Sequence, residues 1–283
     1  MANDISPKLL ADIKQAFTDS IKSDKSLSKI FKKGQNGKAT YVDANRLAIK
    51  LGKHLSNAYK SCLNADTLPN GRMYWNICKA VIEPTMTDCF NITIDFSEQV
   101  QKALNNKGKI GMNPIKPTVD QSKIDGIMNR LASDDYDNIK WILEDSAYMQ
   151  NFLETSVDEM IRTNADMQYN SGLNPIIIRT YHEGDKYCPY CAELAGTYTY
   201  PVDREIYKRH RDCHCTVEYQ VGKVRQDTHT KNYYYGQSNI SESESYEKLL
   251  ALSASTLTPK EAIQRQKALE QFTRRTQPTR RKR

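Results

Sequence analysis

Two short clusters of sulfur and imidazole constrain this chain more than any other feature. Cys188-Pro189-Tyr190-Cys191 is followed, after eighteen intervening residues, by His210-Arg211-Asp212-Cys213-His214-Cys215. Four of the seven cysteines and two of the five histidines fall within these 28 residues. A C-x-x-C turn presents two thiolates to one ion, and the second half supplies a histidine and two more, enough to close a tetrahedral site. Cys213 and Cys215 are two apart, so on extended backbone both sulfurs face one side. There are more donors than positions. Cys188, Cys191, His210 and Cys215 are the first choice of ligand set, with Cys213 as the fifth candidate. The expected ion is a single structural zinc, because a set made only of Cys and His saturates it and leaves no open position for water. Disulfides and unrelated buried thiols are the competing readings.

The 283 residues leave room for about two domains. A mean hydropathy of −0.71 points to helices with one wet face and to extended arms. No apolar run approaches the ~18 residues of a membrane span, so no membrane partner is expected. Met1-Ala2-Asn3-Asp4 lacks the basic-then-apolar pattern of a secretory leader. A reducing compartment is therefore expected, and it favours metal over disulfide.

Ser6-Pro7 marks the start of a helix with Leu9, Leu10, Ile13, Phe17 and Ile21 on one stripe. Residues 23–40, rich in Lys, Ser and Gly, read as a mobile connection. A second helix is predicted near Val42, with Leu47, Leu51, Leu55 and Tyr59 stacked at intervals of four. Leu68-Pro69-Asn70-Gly71 reads as a turn. A third apolar helix carries Tyr74, Ile77, Cys78, Val81 and Ile82, and Pro84 should interrupt or end it. Cys62, Cys78 and Cys89 read as small core side chains. Residues 105–117 are the best linker, with three further helices beyond, the longest over about 146–169. Gly172 and Pro175 close it. The period then changes: Ile176-Ile177-Ile178-Arg179-Thr180-Tyr181, Thr197-Tyr198-Thr199-Tyr200 and Thr216–Val221 read as short strands. The predicted class is α+β: a helical N-terminal region (1–104), the linker, a zinc-pinned module of helices and short antiparallel strands (118–222), and an extended tail with one helix (223–283).

That tail is polar, with Tyr233-Tyr234-Tyr235, an alternating Ser/Glu run from Ser241 to Ser245, and a capping box at Thr258-Pro259-Lys260-Glu261 that starts a helix to about Phe272. Of the formal net charge of +7, Arg274, Arg275, Arg280, Arg281, Lys282 and Arg283 carry six, leaving about +1 for everything before them. Such a run is either a solvated terminus or a contact for nucleic-acid phosphates.

Beyond these residue-level readings, the order of a long helix, Ile176–Tyr181, Asp185, Cys-Pro-Tyr-Cys, Leu194-Ala195-Gly196, Pro201 and His210-x-x-Cys213-x-Cys215 resembles the C-terminal module of phage minor head proteins, the MuF-like family. The resemblance covers roughly residues 146–221. It departs from the family at His214, where Arg is common, and at Ala195, where Asp is usual. It implies a virion component made in the host cytoplasm and residing inside the capsid near the portal vertex. Its implied partners are the portal protein, the major capsid protein, other copies of itself, and packaged genomic DNA met by the basic tail. Two other classes compete: a zinc-supported nuclease of the HNH type using His182, His210, His214 or His229, and a zinc-containing nucleic-acid adaptor. Acidic residues around the cysteines outnumber the basic ones, which weakens the adaptor. No phosphate-binding glycine loop, H-E-x-x-H or G-x-S-x-G is present, so no enzyme is expected. Asp134-Asp135 and Asp158-Glu159 read as solvated surface.

Overall fold

A computed structural model describes residues 4–132, 134–182, 187–213 and 215–221. The chain divides into two compact units, Met1–Val224 and Arg225–Arg283, and the described residues all belong to the first. The tyrosine run, the helix expected over 258–272 and the basic tail lie outside them.

Helix α3 (Tyr41–Cys62) lies at the centre. Thr40 and Asp43 cap its start reciprocally, and Leu47, Leu51, Leu55 and Tyr59 are all buried, as their spacing predicts. Its main partner is α7 (Ser146–Asn170). The two backbones approach so closely that a Cβ on Gly52 would stand 2.6 Å from the backbone nitrogen of Gln150. Helix α1 (Ser6–Ser23), which buries Leu9 and Ile13, packs against α3.

Two expectations about helices are corrected. The supposed mobile connection contains α2 (Lys25–Gln35), capped by the Asp24 carboxylate on the Ser26 and Leu27 amides. It buries Leu27, Ile30 and Gly34; a Cβ on Gly34 would meet the Phe96 ring at 2.7 Å, so this glycine allows close packing rather than mobility. Pro84 does not end the third predicted helix, for α4 runs unbroken from Trp75 to Lys107. Thr85 donates its hydroxyl to Val81 and Ile82, and Thr87 donates to Glu83. Packing against α1, α3 and α7 outweighs the single missing amide bond.

Helices α5 (Gln121–Leu131) and α6 (Tyr136–Glu144) complete the helical layer. Regular structure stops after Lys107 and resumes at Gln121. The expected boundary at 105–117 nevertheless separates no two cores: residues from Leu9 to Tyr219 contribute to one buried cluster. Asn164 fastens this stretch to α7, accepting from the Ile115 amide and donating to its carbonyl.

The three predicted strands form one antiparallel sheet in the order β2-β1-β3: β1 (Pro175–Thr180), β2 (Gly196–Thr199) and β3 (Thr216–Val221). The short helix α8 (Pro189–Glu193) lies between β1 and β2. In β1, inward and outward positions alternate, so Ile177 and Arg179 are buried while Ile176 and Ile178 are half-exposed. The class is α+β.

Candidate metal centre

Strand register explains why distant donors meet. Thr180, the last residue of β1, pairs with Thr216, the first of β3. The chain leaving β1 toward Cys188 and the chain entering β3 from Cys215 are thus at one end of the sheet. Cys188 precedes the first turn of α8 and Cys191 lies within it.

All five predicted donors come together there. Cys188, Cys191 and His210 form one triad and Cys191, Cys213 and Cys215 another, the donor atoms of each within 4.8 Å of one another. Cys191 belongs to both. His210 Nε2 lies 3.3 Å from Cys188 Sγ and 3.0 Å from Cys191 Sγ, and Cys191 and Cys213 Sγ are 3.7 Å apart. A tetrahedron of sulfurs at ~2.3 Å from an ion has edges of about 3.8 Å, close to that last separation. His210 Nδ1 donates to the Arg211 carbonyl, which leaves the Nε2 lone pair facing the sulfurs; an outer hydrogen bond of this kind fixes the tautomer of a metal-bound histidine. The donor set therefore fits a thiophilic ion. All four cysteines are free thiols. Burial raises the Cys191 thiol. Its hydrogen bond to Cys215 and burial push Cys213 up to about 12, while the same bond, together with the nearby Arg179, lowers Cys215. His214 lies outside the described residues.

Two residues around the cluster escaped the sequence reading. Arg179 is 1% exposed, with Nη1 donating to the Ile206 and Lys208 carbonyls at 2.5 and 3.0 Å and Nη2 lying 3.8 Å from both Cys191 and Cys213 Sγ. The side chain of Arg209, next to the histidine donor, is likewise buried. Its fork is bidentate on Asp158 at 2.5 and 3.0 Å, and it also donates to Glu154, Asn45 and the Cys215 carbonyl. Asp158 is thus no solvated surface carboxylate: it is 2% exposed and anchors the donor loop to α7. Burial raises Glu154 to about 8, a shift that Arg209 opposes and Asp158 reinforces. Asn151 donates to the His210 carbonyl, and Arg211 pairs with Asp145 over the Tyr148 ring. The only sequence signal for Arg179 was a charge at an inward strand position; Arg209 had none.

Ser20, His54 and Asp24 form a second polar line, with Ser20 Oγ 2.5 Å from His54 Nδ1 and His54 Nε2 3.1 Å from Asp24. Asp24 is already committed to capping α2 and to Lys50, and it consumes the amides that an oxyanion would need. The line clasps the α1–α2 junction to α3. An open groove of about 310 Å³ beside α7, lined by Phe90, Val119, Lys123, Phe152, Thr155 and Glu159, contains none of the five donors.

No family model, curated protein or solved structure matches this chain. Among the described residues no helix is long and apolar enough to cross a membrane.

Proposed function

We propose that this chain is a structural minor head protein of a tailed phage, in which a zinc ion on the five-donor cluster pins the sheet to the helical body. The observation that carries the reading is the meeting of C-x-x-C and H-x-x-C-x-C in one cluster, next to a long helix and a short sheet, in the order that the MuF-like resemblance implies. The donors are wholly Cys and His, which suits a structural rather than a hydrolytic ion. His210 faces sulfur and is not placed to act as the base of an HNH-type nuclease. Portal protein, major capsid protein and further copies are the proposed partners, inside the capsid.

Quantitative mass spectrometry of gradient-purified, DNA-filled particles tests the assignment. A few to some tens of copies per particle, enriched with the portal, are expected; a chain left soluble in the lysate would overturn it. In the same reading the basic tail meets packaged DNA. Removing residues 274–283 should weaken non-specific DNA binding and reduce the slope of log affinity against log salt by up to about five. Equal binding at low salt with and without the tail would refute that contact.

A further inference from the structure

Arg179 occupies an inward position of β1, opposite buried Val217 on β3 and opposite Gly196 on β2. Inward strand positions are normally apolar, and a guanidinium cannot shed its proton to ease burial. Burying it is strongly unfavourable unless an anion is nearby. Among the described residues no carboxylate forms an ion pair with it. The Ile206 and Lys208 carbonyls satisfy Nη1 as dipoles without supplying charge. Nη2 points at two sulfurs, Nε has no hydrogen-bond partner, and Cys215 lies beside the guanidinium. Neutral thiols would leave the cation unbalanced. Thiolates on a metal would balance it: a divalent ion with three thiolates and a histidine carries one net negative charge, and with four thiolates two.

We propose that Arg179 is the built-in counter-cation of the metal centre, its Nη2 donating N–H···S hydrogen bonds to the thiolates of Cys191 and Cys213. This rests on the reading that the cluster holds a thiolate-bound metal. Arg179 is a positioning residue. It draws negative charge off the sulfurs, holds Cys191 and Cys213 at one spacing, and ties them through the Ile206 and Lys208 carbonyls to the segment that leads into His210. A thiol or disulfide cluster gains nothing from such a partner.

The test uses the full-length chain loaded with cobalt or with cadmium-113. In wild-type protein, a scalar coupling between cadmium and an Arg179 guanidinium proton is expected, together with a shift of the Arg179 nitrogen resonances on loading. Arg179→Met should keep the tetrahedral cobalt bands, move the thiolate-to-cobalt band to lower energy, and weaken metal binding about ten- to a hundredfold in chelator competition. Arg179→Lys, which retains charge without the fork, should fall between. An Arg179→Met protein with unmoved band and affinity would overturn the proposal. If that variant does not fold, wild-type guanidinium resonances unchanged by cadmium would overturn it alone. A wild-type chain that takes up no metal would instead sink the metal reading itself.

Discussion

The helical body and the sheet of this protein are held by different physics. From Ser6 to Asn170, burial falls mainly on Leu, Ile, Met and aromatic side chains spaced three and four apart, each worth about 1.5–3 kcal/mol. From Pro175 to Val221, the apolar side chains reaching the shared core are few, mainly Ile177, Tyr200, Ile206, Val217 and Tyr219. Cys191, Cys213 and Cys215 form a separate cluster with Tyr181 and Cys188 against them, flanked by two buried arginines. The body can stand on area removed from water. The sheet end has fewer such side chains, and on the proposed metal reading its integrity rests on charge balance and coordination. One continuous unit would then carry two kinds of stability whose failures separate.

Removing the metal is the sharpest way to break the comparison. Chelation should lose binding free energy on the order of 10 kcal/mol, and Cys191→Ser, which deletes the donor common to both triads, should lose part of it. Hydrogen exchange is expected to accelerate at β2, α8 and the 208–215 loop, while the α3 and α4 amides stay protected. Simultaneous loss of protection in α3 and β3 would show that the two regions do not differ as described. A smaller loss, roughly 3–5 kcal/mol, is expected from Arg209→Met, which strands Asp158 without its partner. Adding Asp158→Leu should recover much of it, and urea titrations of the two single variants and the double would measure the coupling.

The helical body answers to volume instead. Gly52→Ala forces a Cβ into the Gln150 backbone and should cost about 1–3 kcal/mol of global stability. Metal affinity measured under native conditions should be untouched; a matching drop in affinity would mean the α3–α7 contact also sets the donor geometry. The most gradual effect, taken per pH unit, comes with pH. Glu154 titrates near 8 in the fold against 4.5 ordinarily, so between those values the folded chain holds a proton that the unfolded chain has released. Stability therefore falls as pH rises, by about 1.4 kcal/mol per pH unit, and the drift ends above about 8. Glu154→Gln removes this contribution. Denaturation of metal-loaded protein from pH 6 to 8 should show a shallower decline in the variant, and parallel slopes would exclude the effect.

Much of the fold was legible because periodicity is a local property. The stripe of α3, the 146–170 helix and the three strands follow from spacing alone, and the five donors follow from residue type. What misled was composition: Lys and Ser around Leu27, Ile30 and Gly34 hid an amphipathic helix, and the proline rule overestimated one lost amide bond in a helix packed on five others. Buried charge was also invisible, since Asp158 and Arg209 are 51 residues apart and nothing in either neighbourhood announces the other.

By itself, then, the sequence determined the class, the strands and the chemistry of the donors, because each depends on residues within a few positions of one another. Only the tertiary structure decided that Cys188 and Cys191 meet His210, Cys213 and Cys215 at one sheet end, that α3 and α7 touch at Gly52, and that Arg179 lies among sulfurs. Those outcomes depend on strand register and helix packing, which are set by the summed burial of the whole chain and not by any local pattern.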